Sequence, residues 1–188
     1  GRLIISPAGG AVTAVTDNTT YWTLYFDTNH GAKPIQCKVG DYIAAQTWKA
    51  WDHTIVDSYR GHVTAVNQYG AGENITADNV SGTPWVGMRL AQLGSSSDNT
   101  RQNLLYLTSS DSNNPFIEGH TGVTAGTFSD TTRKFRLGNL SGITDATYGA
   151  LSGYGLYSSN VYLTGWIKAT SGYIGGWVID AISMKDAA

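Results

Sequence analysis

The stretch TYWTLYFD, residues 20–27, decides the fold class. Tyr21, Thr23 and Tyr25 alternate with Trp22, Leu24 and Phe26, a period of two that puts each set on one face of a strand. Aromatic and β-branched side chains suit such a pleated, half-buried surface. Outward from it, similar runs predict strands at residues 40–47 (GDYIAAQT), 61–67 (GHVTAVN), 87–93 (GMRLAQL), 102–108 (QNLLYLT) and 134–137 (KFRL). Residues 116–128 read as two short strands broken at Gly119 or Gly122. Gly, Asn, Asp and Pro punctuate these runs at residues 29–31, 68–73, 94–99 and 109–115. No convincing helical pattern interrupts them, so the expectation is an all-β protein.

After Gly138 the character of the chain changes. Leu140-Ser141-Gly142, Leu151-Ser152-Gly153 and Leu163-Thr164-Gly165 recur, separated by short alternating runs such as Val161-Tyr162-Leu163 and Trp177-Val178-Ile179. Strands this short cannot bury a face alone and gain a core only from neighbours or from other chains. The expected organisation is a compact β-sandwich or barrel-like domain over residues 1–138, followed by a glycine-punctuated short-strand segment over residues 139–188.

Composition removes several function classes. Charged residues are 14% of the chain, against about 25% in ordinary soluble domains. A formal charge of −2 offers no attraction to nucleic acid or to an acidic membrane surface. No apolar run reaches bilayer-spanning length and no signal peptide heads the chain. The single cysteine, Cys37, excludes an intrachain disulfide and reads as a small buried hydrophobe.

Catalytic patterns are weak. Glu73 and Glu118 are the only glutamates, and the twelve aspartates sit mostly in turn contexts such as Asp17-Asn18 and Asp98-Asn99. Asp52, Asp57 or Glu118 remain candidates for a glycosidase pair assembled in space. His30, His53, His62 and His120 show neither metal-ligand spacing nor a nucleophile-elbow serine nearby. Gly153-Tyr154-Gly155 lacks the spacing and the following helix of a phosphate loop. The expectation is no enzyme activity, no cofactor and no metal. One segment suits a ligand: Trp48-Lys49-Ala50-Trp51-Asp52-His53 sets flat aromatics beside hydrogen-bonding groups, as sugar rings require. Trp48, Trp51 and His53 are therefore glycan-binding candidates, beside the commoner use of such tryptophans in capping a β domain.

Five segments in order carry a resemblance: Gln92-Leu93-Gly94 with Asp98, Thr100 and Arg101-Gln102-Asn103; Asn114-Pro115-Phe116-Ile117; KFRLGNLSGI at 134–143; LSGYGLYSSNVYLTG at 151–165; and GYIGGWVI at 172–179. Together they resemble tail-tip and tail-fibre proteins of phages and prophages, particularly those of Bacteroidetes hosts. The likeness covers about half the chain; upstream it is loose, through Val39-Gly40-Asp41-Tyr42 and residues 62–66. It implies a homotrimeric structural protein with a β domain beside an intertwined three-chain shaft. Tyr154, Leu156, Tyr157, Val161 and Leu163 would contribute to that shaft, as would Ile167, Ile174, Trp177 and Ile179. Implied partners are copies of the chain, other tail proteins and a host surface glycan, without nucleic acid or membrane insertion. The implied location is the virion tail, or the bacterial cytoplasm before assembly if the gene is prophage-borne. Gly1, the strand-like Arg2-Leu3-Ile4-Ile5 after it and the stop at Ala188 read as cuts from a longer protein. The alternatives are a lectin-like carbohydrate-binding module of a glycan-degrading system and a tail-spike depolymerase.

Overall fold

The computed structural model describes residues 2–5, 10–27, 35–48, 55–68, 72–109, 111–166, 168, 172–174, 177–179 and 184–186. They form strands, turns and one short 3-10 turn, with no α-helix among them. The chain divides into two compact units, residues 1–158 and 159–188.

The first unit contains β1 (Arg2–Ile5), β2 (Val12–Asp17), β3 (Tyr21–Phe26), β4 (Asp41–Trp48), β5 (Ile55–Asn67), β6 (Asn74–Gly82) and β7 (Ala91–Ser95). It continues with β8 (Leu104–Thr108), β9 (Phe116–His120), β10 (Arg133–Asn139), the two-residue pieces β11 (Thr144–Asp145) and β12 (Gly149–Ala150), and β13 (Tyr154–Ser158). Two antiparallel sheets result, a six-stranded one in the order β2-β3-β6-β5-β4-β7 and a five-stranded one in the order β1-β8-β9-β10-β13. The alternation in residues 20–27 is realised in β3, where Leu24 and Phe26 are buried and Trp22 packs against them.

Those two residues join Ile43, Tyr59, Val63, Ile75 and Met88 in the larger core, on one face of the six-stranded sheet. The sheet bends around this core until its edges approach: Ala11 bridges Arg89, and Val12 N–H donates to the Met88 carbonyl at 2.9 Å. This is a single bridge and not a strand ladder, so the sheet does not close as a barrel. On the opposite face of β4, Tyr42 and Ala44 pack against a smaller core of Leu93, Leu104, Tyr106, Phe116 and Val123. Strand β4 is thus covered on both faces.

Several boundaries differ from the sequence expectations. The strand expected from residue 87 begins only at Ala91, because Gly87 turns with a positive φ and Met88 is taken up by the bridge region. Residues 116–128 hold one strand, which runs through Gly119 because the Phe135 ring covers the space that glycine leaves. Residues 94–99 lead into a 3-10 turn, Asn99–Arg101, whose first turn is capped by Asp98. β6 carries few β-forming residues and is held by pairing with β3 on one side and β5 on the other.

The expected division near Gly138 falls inside the first unit. β10 continues through Gly138 to Asn139, and β13 pairs with it from Phe135↔Ser158 to Asn139↔Tyr154. Residues 139–158 therefore complete the five-stranded sheet. Gly138 is required there: its φ is +129°, and a Cβ would lie 2.4 Å from the Pro115 carbonyl oxygen. The second unit holds β14 (Gly172–Ile174), β15 (Trp177–Ile179) and β16 (Met184–Asp186), paired antiparallel in that order.

Candidate functional site

The glycan candidates are only partly placed. Trp48 ends β4, paired to Ile55 in backbone register; its side chain, Trp51 and His53 lie outside the described residues, as does Asp52. Of the shaft candidates, Tyr154, Leu156 and Tyr157 lie on β13 in the first unit. Val161 and Leu163 are exposed in the second. Ile174 faces Trp177 in the β14–β15 register, and Ile179 pairs with Gly172; the side chains of all three, and Ile167, fall outside the described residues.

The motif residues from Asp41 to Arg101 form a clasp. Arg101 Nη2 and Nε donate to the fully buried Asp41 carboxylate at 2.5 and 2.9 Å. Gln92 Nε2 donates to the Arg101 carbonyl at 2.6 Å, and Gln102 Nε2 to the Ser95 carbonyl at 2.8 Å. Gly94 lets the Val123 backbone approach, since a Cβ there would stand 2.2 Å from the Val123 carbonyl oxygen. Cys37 lies buried nearby; burial and the Asp41 charge push its thiol up to about 12, the Arg101 charge opposing them, so it is a poor nucleophile.

The inner face of the five-stranded sheet carries a buried charge network. Across β8, β9, β10 and β13, Tyr106, Glu118, Arg136 and Tyr157 are direct neighbours in register. Glu118, His120 and Arg136 are 3%, 2% and 6% exposed. Glu118 Oε1 accepts from Arg136 Nε at 2.6 Å and from Arg133 Nε, while Oε2 accepts from His120 Nε2 at 3.0 Å. Burial alone would raise the Glu118 pKa, but hydrogen bonds from His120 and Arg136 and the charge of Arg133 outweigh it and hold it at about 2. A carboxylate so held is a counter-ion and a poor proton donor. Arg136 also lies 4.0 Å over the Phe116 ring and donates to the Asn139 and Ser141 carbonyls, joining two of the motif segments. Asp57 accepts from Thr47 Oγ1 at 3.3 Å on the paired strands β4 and β5.

The outer face of that sheet reverses the usual arrangement. Leu107, Ile117, Leu137 and Leu156 face one another in register across β8, β9, β10 and β13. With Leu105, these five aliphatics are 37–53% exposed, and Tyr154 next to Leu156 on this face is 73% exposed. The buried row is therefore polar and charged, and the exposed row is aliphatic. Contiguous apolar patches of this kind mark contact surfaces.

No protein-family model, curated protein or solved structure matches the chain.

Among the described residues no cluster of three or more His, Cys, Asp or Glu side chains is placed to hold a metal ion. The Glu118 network escaped sequence reasoning for a geometric reason. Arg133 and Arg136 are three apart, which on a regular strand puts them on opposite faces. A bulge between Arg133 and Phe135 brings both to Glu118. The i, i+2 spacing of Glu118 and His120 is the only linear trace of that site.

Proposed function

We propose that the chain is a structural subunit of a phage or prophage tail tip or tail fibre, assembling with copies of itself, three in the intact particle, and supporting attachment to a host cell. The observation that carries this reading is the aliphatic ladder Leu107–Ile117–Leu137–Leu156 on the outer face of a sheet whose inner face is charged. A monomer leaves these side chains in water at a cost of about 25 cal/mol for each Å² of apolar surface. Self-association covers them, and the ladder lies on strands that hold three of the resembling segments: residues 114–117, 134–143 and 151–165. The exposed Val161, Tyr162, Leu163 and Trp166 in the second unit extend the supply of unburied apolar surface.

Two measurements test the reading. Sedimentation equilibrium of the purified chain should give about three times its 20.1 kDa mass; a folded monomer at all concentrations overturns self-assembly. Mass spectrometry of particles purified from cells carrying the gene should find its peptides with tail components. Peptides confined to the cell lysate overturn the tail assignment.

A further inference from the structure

We infer that the cleft between the two sheets of the first unit binds a carboxylate-bearing sugar, with Arg60 and Arg89 as the carboxylate receptors. This stands independently of membership in a tail. Five arginines have described side chains. Arg101 is paired to Asp41, and Arg133 and Arg136 are paired to Glu118. The Arg60 and Arg89 side chains have no hydrogen-bond, ion-pair or ring partner among the described residues, and both line one cavity of about 410 Å³. That volume lies within the range of about 300–1,000 Å³ usual for small-ligand pockets. Arg60 is half-buried on the middle of a sheet face. A guanidinium partly removed from water without a counter-charge is unfavourable unless a ligand supplies one.

The surroundings give the ligand its other properties. Ala44, Arg60 and Ser81 are cross-strand neighbours on β4, β5 and β6, and Gln46 pairs with Ser58 in the adjacent row. Small side chains around Arg60 thus leave a depression, with the Ser58 and Ser81 hydroxyls beside it. Tyr106 and Phe128 form the opposite wall, fixed by their own ring contact at 5.0 Å. Phe128 also contacts the His120 ring at 4.7 Å, so two ring contacts brace the wall. Flat rings beside hydroxyl partners suit the C–H face of a pyranose. An adjoining cavity of about 390 Å³ shares Arg60, Tyr106 and Phe128 and is also lined by Asp111, Glu118, His120, Asp130 and Arg133, with Glu118 and Asp130 both paired to Arg133. Carboxylate oxygens there can accept from sugar hydroxyls. The two arginines, the aromatic wall and the hydroxyl acceptors together select a hydroxylated sugar acid over inorganic phosphate.

Calorimetric titration of the full chain tests this with trigalacturonate, glucuronate and N-acetylneuraminate as acids. The methyl esters of these three acids, maltotriose and inorganic phosphate serve as comparisons. At least one acid should bind saturably, and its ester should bind about ten- to a hundredfold more weakly, as for a lost charge-assisted hydrogen bond. Arg60→Gln and Arg89→Gln should each weaken binding by a similar factor with unchanged melting temperature. If Arg60→Gln does not fold, Arg60→Lys and ligand-induced shifts of the two arginine Nε–H resonances in the unaltered protein read the same contact. The assignment is overturned by no saturable binding of any acid, by equal affinity for acid and ester, by phosphate binding as tightly as the best acid, or by arginine resonances that do not move. None of these outcomes bears on the sedimentation mass, so failure here is separable from failure of the assembly.

Discussion

Glu118 carries a charge where a lone charge would be rejected, and its partners decide what happens when it is altered. Two guanidinium groups and His120 converge on it inside the sheet. Removing one member of a buried ion pair leaves the others uncompensated, so Glu118→Gln should cost about 3–5 kcal/mol of stability in denaturant unfolding. The pH dependence follows from the direction of its shift. Its folded pKa of about 2 lies below the usual 4.5, so the network's contribution is whole above the usual value. It is lost as pH falls through about 2. Stability of the unaltered protein should therefore drop across roughly pH 5 to 2, with a shallower drop in Glu118→Gln. A Glu118→Gln protein as stable as its parent at neutral pH would show the network to be dispensable. At this scale some of the sequence was readable. Asp17 and Asp98 do cap their own turns, accepting from Thr19 N–H at 2.8 Å and Thr100 N–H at 3.0 Å. Asp41 likewise accepts from the Lys38 N–H at 2.8 Å, but its pairing with Arg101, sixty residues away, has no local signal.

Glycine positions govern the elements. In the strand register Gly138 stands between Phe116 and Gly155, and the backbone of β9 comes so close that any side chain would strike it. Gly138→Ala should lose both the permissive φ and the close approach. Gly87, with φ of +89° and open space for 4 Å around the point a Cβ would occupy, should lose only the first. Thermal unfolding should accordingly place Gly138→Ala below Gly87→Ala by at least about 1 kcal/mol, the scale of a forced steric overlap. Equal losses would mean that the inter-strand contact contributes nothing. The same residue explains why a strand runs on at the point where the sequence suggested a division. A glycine after an alternating run ordinarily ends a strand, whereas here it permits one to continue between two close neighbours. Alternation made β3 legible, and short apolar, aromatic-containing runs bounded by turn residues did the same for β4 and β8. β6 was not, because its strand state comes from partners on both sides and not from its own composition.

For the whole molecule, low charge content gave the general signal that apolar surface must be covered, without saying which surface. QNLLYLT is apolar on both faces, so no pattern distinguishes the inward Leu104 and Tyr106 from the outward Leu105 and Leu107. Only the register of four strands shows that the outward set forms a continuous row. That row permits a test in which folding and assembly are separated. Leu137 and Leu156 face each other across β10 and β13, both about half exposed. Replacing them together, Leu137→Lys with Leu156→Asp, puts opposite charges directly across the strands, which supports the pair by about 0.2–1 kcal/mol. The same change breaks the aliphatic row in its outer half. Substitution at exposed positions away from special contacts shifts stability by about 0.5 kcal/mol or less. The melting temperature of the isolated chain should thus stay close to that of the parent, while sedimentation moves from the assembled mass toward 20.1 kDa. An unchanged assembled mass would place the contact elsewhere, and the exposed Val161–Trp166 segment of the second unit would be the next surface to alter. Loss of folding together with loss of assembly would instead mean that the row stabilises the sheet itself.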